Sequence, residues 1–99
     1  MDIELMRDNA QEASALMKSL ANPSRLLVLC ALVTREHTVG ELEELTGLSQ
    51  SAVSQHLARL RDEQIVVTRR DAQRVFYSLD NAGVQAVLET MHGIYCADD

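Results

Sequence analysis

Residues 38–79 constrain this chain more than any other feature: two short helical patterns parted by Gly47-Leu48-Ser49 run straight into two β-rich segments. Thr38 and Glu41 have the spacing of a capping box, which opens a helix running to about Thr46. Leu42 and Leu45 are expected to face the core from it. Gly47 stands where a left-handed helix end favours glycine, and Ser49 is placed to N-cap a second helix over residues 50–63. The expected buried face of that helix is Val53, Leu57 and Leu60. The period then changes. Residues 65–70 (IVVTRR) and 74–79 (RVFYSL) are rich in β-branched and aromatic side chains, with Asp71-Ala72-Gln73 between them, and predict a β-hairpin.

Short helix, glycine-containing turn, second helix and hairpin together describe a winged helix–turn–helix. The flanks read as further helices. Ala10, Ala13, Leu16, Met17 and Leu20 recur at three- and four-residue steps. Asn22-Pro23 ends that helix and starts another, whose expected inward stripe is Leu26, Leu29, Cys30 and Val33. From Asn81, the positions Val84, Val87, Leu88, Met91 and Ile94 mark a last helix reaching about Cys96. The expected fold class is mainly α with one hairpin, in the order α-α-α-α-β-β-α, as one domain over residues 1–99. A chain of 99 residues has a high surface-to-volume ratio, and two cysteines build no disulfide framework, so self-association is the expected source of added stability. No apolar run approaches 18 residues and no secretory leader is read at the start, which makes the cytoplasm the expected compartment and a membrane partner unexpected.

With Val53, Leu57 and Leu60 inward, the second helix of the pair leaves Ser49, Gln50, Ser51, Ser54, Gln55 and Arg59 outward or lateral, and His56 beside the inward stripe. Short hydrogen-bonding groups at a helix N-terminus suit base edges in the major groove and flanking phosphates. A merely solvated face more often alternates Lys and Glu. The charge distribution favours the same surface. Nine basic against fifteen acidic residues give a net charge of −6, which speaks against promiscuous coating of DNA. Residues 49–77 nevertheless carry +2, all five of their basic groups being Arg, while 1–48 and 78–99 carry −4 each. Arg69, Arg70 and Arg74 flank the hairpin tip, where a wing meets the DNA backbone or minor groove.

The runs LANPSRLLVLC at 20–30, VGEL at 39–42, GLSQSAVSQHLARLR at 47–61 and RRDAQRVFYSL at 69–79 resemble the ArsR/SmtB repressors, nearly throughout the chain after residue 10. The resemblance implies a homodimer formed by the first and last helices, bound to a pseudo-palindromic double-stranded operator and released from it by an inducer. It also bears on what is sensed. Thiolate sites of that family on the third helix have no counterpart here, since residues 38–48 contain no Cys; residues 1–29 contain none either. Zinc-type sites on the last helix would need more than Asp80 and His92, because Ala82 and Tyr95 occupy the other positions. The pair Cys30 and Cys96 is similar to that of the sulfide- and persulfide-responsive BigR/SqrR branch, in which two such cysteines form a bridge that lowers DNA affinity.

The resulting expectation is a repressor whose redox-sensing residues are Cys30 and Cys96, with Cys96 the more accessible nucleophile and His92, four residues before it, a modulator. The inducer is a reactive sulfur species or another oxidant, and no resident cofactor or metal is expected. Two alternatives stay open: a metal- or haem-responsive repressor using the same thiols, with His92 joining them, and a winged-helix interaction module that does not bind DNA. His37 is expected at the surface. No nucleophile–base pair or phosphate-cradling glycine loop points to an enzyme.

Overall fold

The computed structural model describes residues 1–96; Asp98 and Asp99, counted in the acidic C-terminal flank, lie outside them. The elements are α1 (Ile3–Leu20), α2 (Pro23–Thr34), α3 (Val39–Thr46), α4 (Gln50–Asp62), β1 (Val66–Asp71), β2 (Arg74–Leu79) and α5 (Ala82–Tyr95). The expected order therefore holds, and its first helix begins earlier than its apolar pattern did.

Local chemistry sets nearly every boundary. The side chains of Asp2, Asn22, Thr38, Ser49 and Asn81 each accept a backbone N–H three residues on, so all five helices are capped by oxygens from their own sequence. The capping box is complete, since the Glu41 carboxylate accepts the Thr38 N–H at 3.0 Å. Gly47 ends α3 at φ 75°, a conformation that an L side chain would strain. α4 ends with Gln64 at φ 61° while Ile65 N–H reaches back to the Leu60 carbonyl at 2.9 Å. The hairpin is one residue tighter than its sequence implied: Asp71 pairs with Arg74, which leaves a two-residue turn with Ala72 at φ 57°.

The core joins Val28, Leu29 and Leu32 of α2 to Leu42 of α3, Val53, Leu57 and Leu60 of α4, Ile65 and Val66 at the start of the hairpin, and Val84 and Leu88 of α5. The α4 face is as its spacing predicted. Two other expectations are corrected. Leu45 is exposed, because a two-turn α3 presents one side to the core and Leu42 occupies it. The inward stripe of α2 is Arg25, Val28, Leu29 and Leu32 rather than Leu26, Leu29, Cys30 and Val33. α2 is apolar on most sides, so its pattern alone did not choose between them. Leu26 and Val33 instead line grooves toward α5, and Cys30 is exposed.

His37 is likewise not at the surface: it is buried, and its backbone pairs in both directions with Tyr77 across an antiparallel bridge, at 3.0 and 2.8 Å. That bridge pins β2 to the segment between α2 and α3. α1 turns through 94° from α2 and buries only Ser19 and Leu20. It gives the chain a radius of gyration of 14.6 Å, against about 13 Å for a compact chain of this length. No single helix among the described residues is long and apolar enough to cross a membrane.

Candidate nucleic-acid interface and thiol pair

α4 carries Gln50, Ser51, Ser54, Gln55 and Arg59 on its solvent side, beside the capping Ser49 and opposite the buried Val53, Leu57 and Leu60. The Ser49 and Ser51 hydroxyls lie 3.3 Å apart at the helix start. A helix N-terminus with two hydroxyls and two amides presents donors and acceptors with little fixed charge, which suits base edges and phosphate oxygens. His56 differs from its neighbours. It is half-buried, and its pKa is lowered by burial first, then by the charges of Arg25 and Arg59, so the imidazole is held toward its neutral form.

The arginines of this region divide into two sets. Arg59 reaches Glu63 at 3.5 Å, and Arg74 reaches Glu41 at 3.8 Å. Arg69 donates from Nε to both Glu36 oxygens, at 3.0 and 2.9 Å, and its guanidinium lies 4.5 Å from the Phe76 ring, which Arg74 approaches at 4.8 Å. The bidentate bond and the Arg69 charge hold the Glu36 carboxyl below the usual carboxylate range. Arg61 and Arg70 make no ion pair among the described residues. The positive stretch read from sequence is thus partly neutralised by acidic partners from the α2–α3 segment.

Residues the sequence reading passed over hold this arrangement in place. Arg25 is buried at the start of α2 and donates to the Lys18 carbonyl at 3.2 Å and to the Ser19 carbonyl, closing the C-terminal end of α1. An arginine in register with Val28, Leu29 and Leu32 was the signal for it. Glu41 accepts from Thr38 and lies 3.3 Å from His37 Nδ1, and its pKa is lowered chiefly by that Thr38 N–H. Glu36 sits in a charged run with no local pattern to mark it.

The two cysteines are free and exposed. Cys30 borders a cleft of about 420 Å³ between α2 and α5 that is also lined by Val33, Leu88, Glu89 and His92. Cys96 ends α5, its N–H donating to the His92 carbonyl at 2.8 Å. The cleft walls desolvate the Cys30 thiol and push its pKa up, and a thiolate at Cys96 pushes it further. His92, one turn before Cys96 on α5, shares that cleft with Cys30. No three His, Cys, Asp or Glu side chains among the described residues converge closely enough to hold a metal ion. A second groove, of about 430 Å³ and almost wholly apolar, runs between α1, α2 and α5 along Met17, Leu20, Pro23, Leu26, Val87 and Met91.

Residues 22–68 match the model of the family described as bacterial regulatory protein, arsR family. The chain is 46% identical over 96 residues to the HTH-type transcriptional regulator YgaV of Escherichia coli, covering 96% of this chain and 97% of that one. It is 47% identical to the transcriptional activator HlyU of Vibrio cholerae, over 97% of this chain and 89% of that one. The solved structure of reduced HlyU superposes with a TM-score of 0.87, over 94% and 98% of the two chains. The crystal structure of the transcriptional repressor BigR from Xylella fastidiosa superposes with a TM-score of 0.92 at 40% identity, over 99% of this chain and 100% of that one.

Proposed function

Since this chain belongs to the ArsR family and is a transcriptional regulator, we propose that it is a homodimeric repressor that reads a pseudo-palindromic operator with α4 and the hairpin and lets go of it when Cys30 and Cys96 are bridged. The reading face is Ser49, Gln50, Ser51, Ser54, Gln55 and the flanking Arg59, with Arg70 and Arg74 on the wing and His56 at the edge of that face. The apolar groove and the exposed length of α1 supply the dimer contact, and the whole of residues 1–99 acts as one DNA-binding domain with dimerisation helices at its ends. Two α4 helices then enter successive major grooves about 34 Å apart.

The observation that supports the sensing role is the α2–α5 cleft, which Cys30 shares with His92, one turn before Cys96 on the same helix, both thiols being exposed. Burial against the cleft walls raises the Cys30 pKa, and the first attack in this reading comes from Cys96, at the end of α5. Its thiolate takes the sulfane sulfur of a persulfide RSSH, expelling RS⁻ and leaving Cys96–S–SH. The Cys30 thiolate then attacks the Cys96 sulfur, forms the S–S bond and expels HS⁻. Where Cys96–S–S⁻ first takes a second sulfane sulfur from RSSH, expelling RS⁻, attack of the Cys30 thiolate on the middle sulfur of Cys96–S–S–SH expels HS⁻ and leaves a trisulfide, which matters where the Cα atoms lie beyond the 7 Å or so that a plain disulfide tolerates. Either bridge ties α2 to α5 and changes the placement of the two reading heads. A coupling free energy of about 1–3 kcal/mol lowers operator affinity some 5- to 150-fold.

The test is operator binding by wild type, Cys30→Ser and Cys96→Ser before and after polysulfide treatment, with intact-mass analysis. Treated wild type is expected to lose affinity and two protons, with added multiples of one sulfur atom where the bridge is longer, while both variants keep their affinity. Unchanged binding by bridged wild type, or a full response from either variant, overturns the mechanism.

A further inference from the structure

Resting on the DNA-face reading above, we infer that Glu36 and Arg69 form a clasp that sets the orientation of the wing. Arg69 is then a positioning residue, and of the two wing arginines left on the DNA face, Arg70 is the one with no carboxylate partner among the described residues to hold it from DNA phosphate.

Successive side chains of a strand point to opposite faces. Arg69 stands across from Phe76 in the hairpin register, and its guanidinium packs against that ring. The same face points toward the segment between α2 and α3, where Glu36 occupies Nε and one terminal nitrogen of the Arg69 fork. A fork so engaged has lost the edge that would grip a phosphate bidentately, and an incoming phosphate would meet the Glu36 charge. Arg70 is the next residue on β1, on the opposite face, exposed and without an ion pair among the described residues.

Two further ties cross the same gap. The His37–Tyr77 backbone pair spans it at 3.0 and 2.8 Å, and Arg74 lies 3.8 Å from a Glu41 carboxylate already fixed by Thr38. Phe76 receives both Arg69 and Arg74. The hairpin is a two-stranded sheet, an arrangement of marginal stability by itself. Its angle to α4 is therefore set by what holds its base, and Glu36 is the one partner there that grips a wing side chain through two oxygens.

The experiment measures the affinity of each variant for a duplex that the wild-type protein selects from a random-sequence pool, as a function of salt. Removing a phosphate contact lowers the slope of log K against log salt by about 0.9. Arg70→Gln is expected to show that loss once per subunit, about 1.8 for the dimer. Arg69→Gln and Glu36→Gln are each expected to weaken binding about fivefold, the order that one partly exposed ion pair supports, with the slope unchanged. The double variant is expected to be no weaker than either single one. The exchanged pair Glu36→Arg with Arg69→Glu is expected to recover affinity, while Arg69→Lys, which keeps charge and loses the fork, does not. Urea midpoints of all variants separate loss of fold from loss of position. The clasp is overturned if Arg69→Gln loses slope as Arg70→Gln does, or if Glu36→Gln binds more tightly because Arg69 has been released to the backbone. Salt-independent or absent binding by the wild type would instead overturn the DNA-face reading beneath it.

Discussion

The half of the molecule formed by α3, α4 and the hairpin and the flank formed by α1 and α5 solve the same problem differently. In the first, Leu42, Val53, Leu57, Leu60 and Val66 are at most 1% exposed, and what remains outside is largely polar. In the second, Ile3, Leu5 and Met17 on α1 and Ile94 and Tyr95 on α5 are all more than half exposed, and the groove that Met17 lines has almost no polar lining. One region completes its core within a single chain. The other has the composition of half a core, and an 18-residue helix with two buried residues does not earn its order alone. Reading and assembly are thus physically separable, and each can be attacked without the other.

The largest effect is expected from the flank. Met91→Glu places a charge in the apolar groove, at a position half-buried within one chain and covered in the proposed dimer. It is expected to give a folded monomer by sedimentation and to lose the avidity of two linked reading heads, about 10²- to 10⁴-fold in operator affinity. A Met91→Glu protein that stays dimeric would break the distinction between the two regions. In the reading half, Leu57→Ala is expected to cost about 2–5 kcal/mol of stability through the cavity it leaves. Its loss, measured as a shift in urea midpoint, should leave subunit affinity untouched. Coupled loss of both would show that the halves do not behave independently.

The same division explains what could be read in advance. The caps at Asn22, Thr38, Ser49 and Asn81, the Gly47 break and the α4 face are decided within a few residues, and each was legible; the Asp2 cap, ahead of the apolar pattern of α1, was not. α2 was not, because it serves both regions: one side packs on α3 and α4, while Leu26, Cys30 and Val33 look toward α5. A helix apolar nearly all round carries no periodic sign of which side meets its own chain and which is left for a partner. His37 and Glu36 were illegible for a related reason, since their partners Tyr77 and Arg69 are more than thirty residues away. The α4 amides and hydroxyls stood out by residue type, yet sequence could not show that three of the five nearby arginines are already engaged. With Arg59, Arg69 and Arg74 paired to carboxylates, the net charge of −6 acts locally as well as globally, and the proposed operator complex has to lean on base contacts and on two half-sites.

The smallest effect distinguishes the edge of the reading face from its centre. His56 lies between them, half-buried on α4, and burial, Arg25 and Arg59 all lower its pKa from 6.5. A histidine whose folded pKa is depressed favours the folded state when neutral. Its contribution is fully present above the unfolded value and is lost as pH falls through the folded one. The stability of the wild type, measured by urea midpoint at pH 7.5 and at 5.5, should therefore include an acid-side decrease that His56→Gln lacks. The difference should be insensitive to moderate salt if burial, the largest cause, dominates, and should shrink with salt if the two arginines do. Identical acid profiles for the two proteins would place His56 among the freely solvated groups of α4, with Gln55, rather than at the margin of the core.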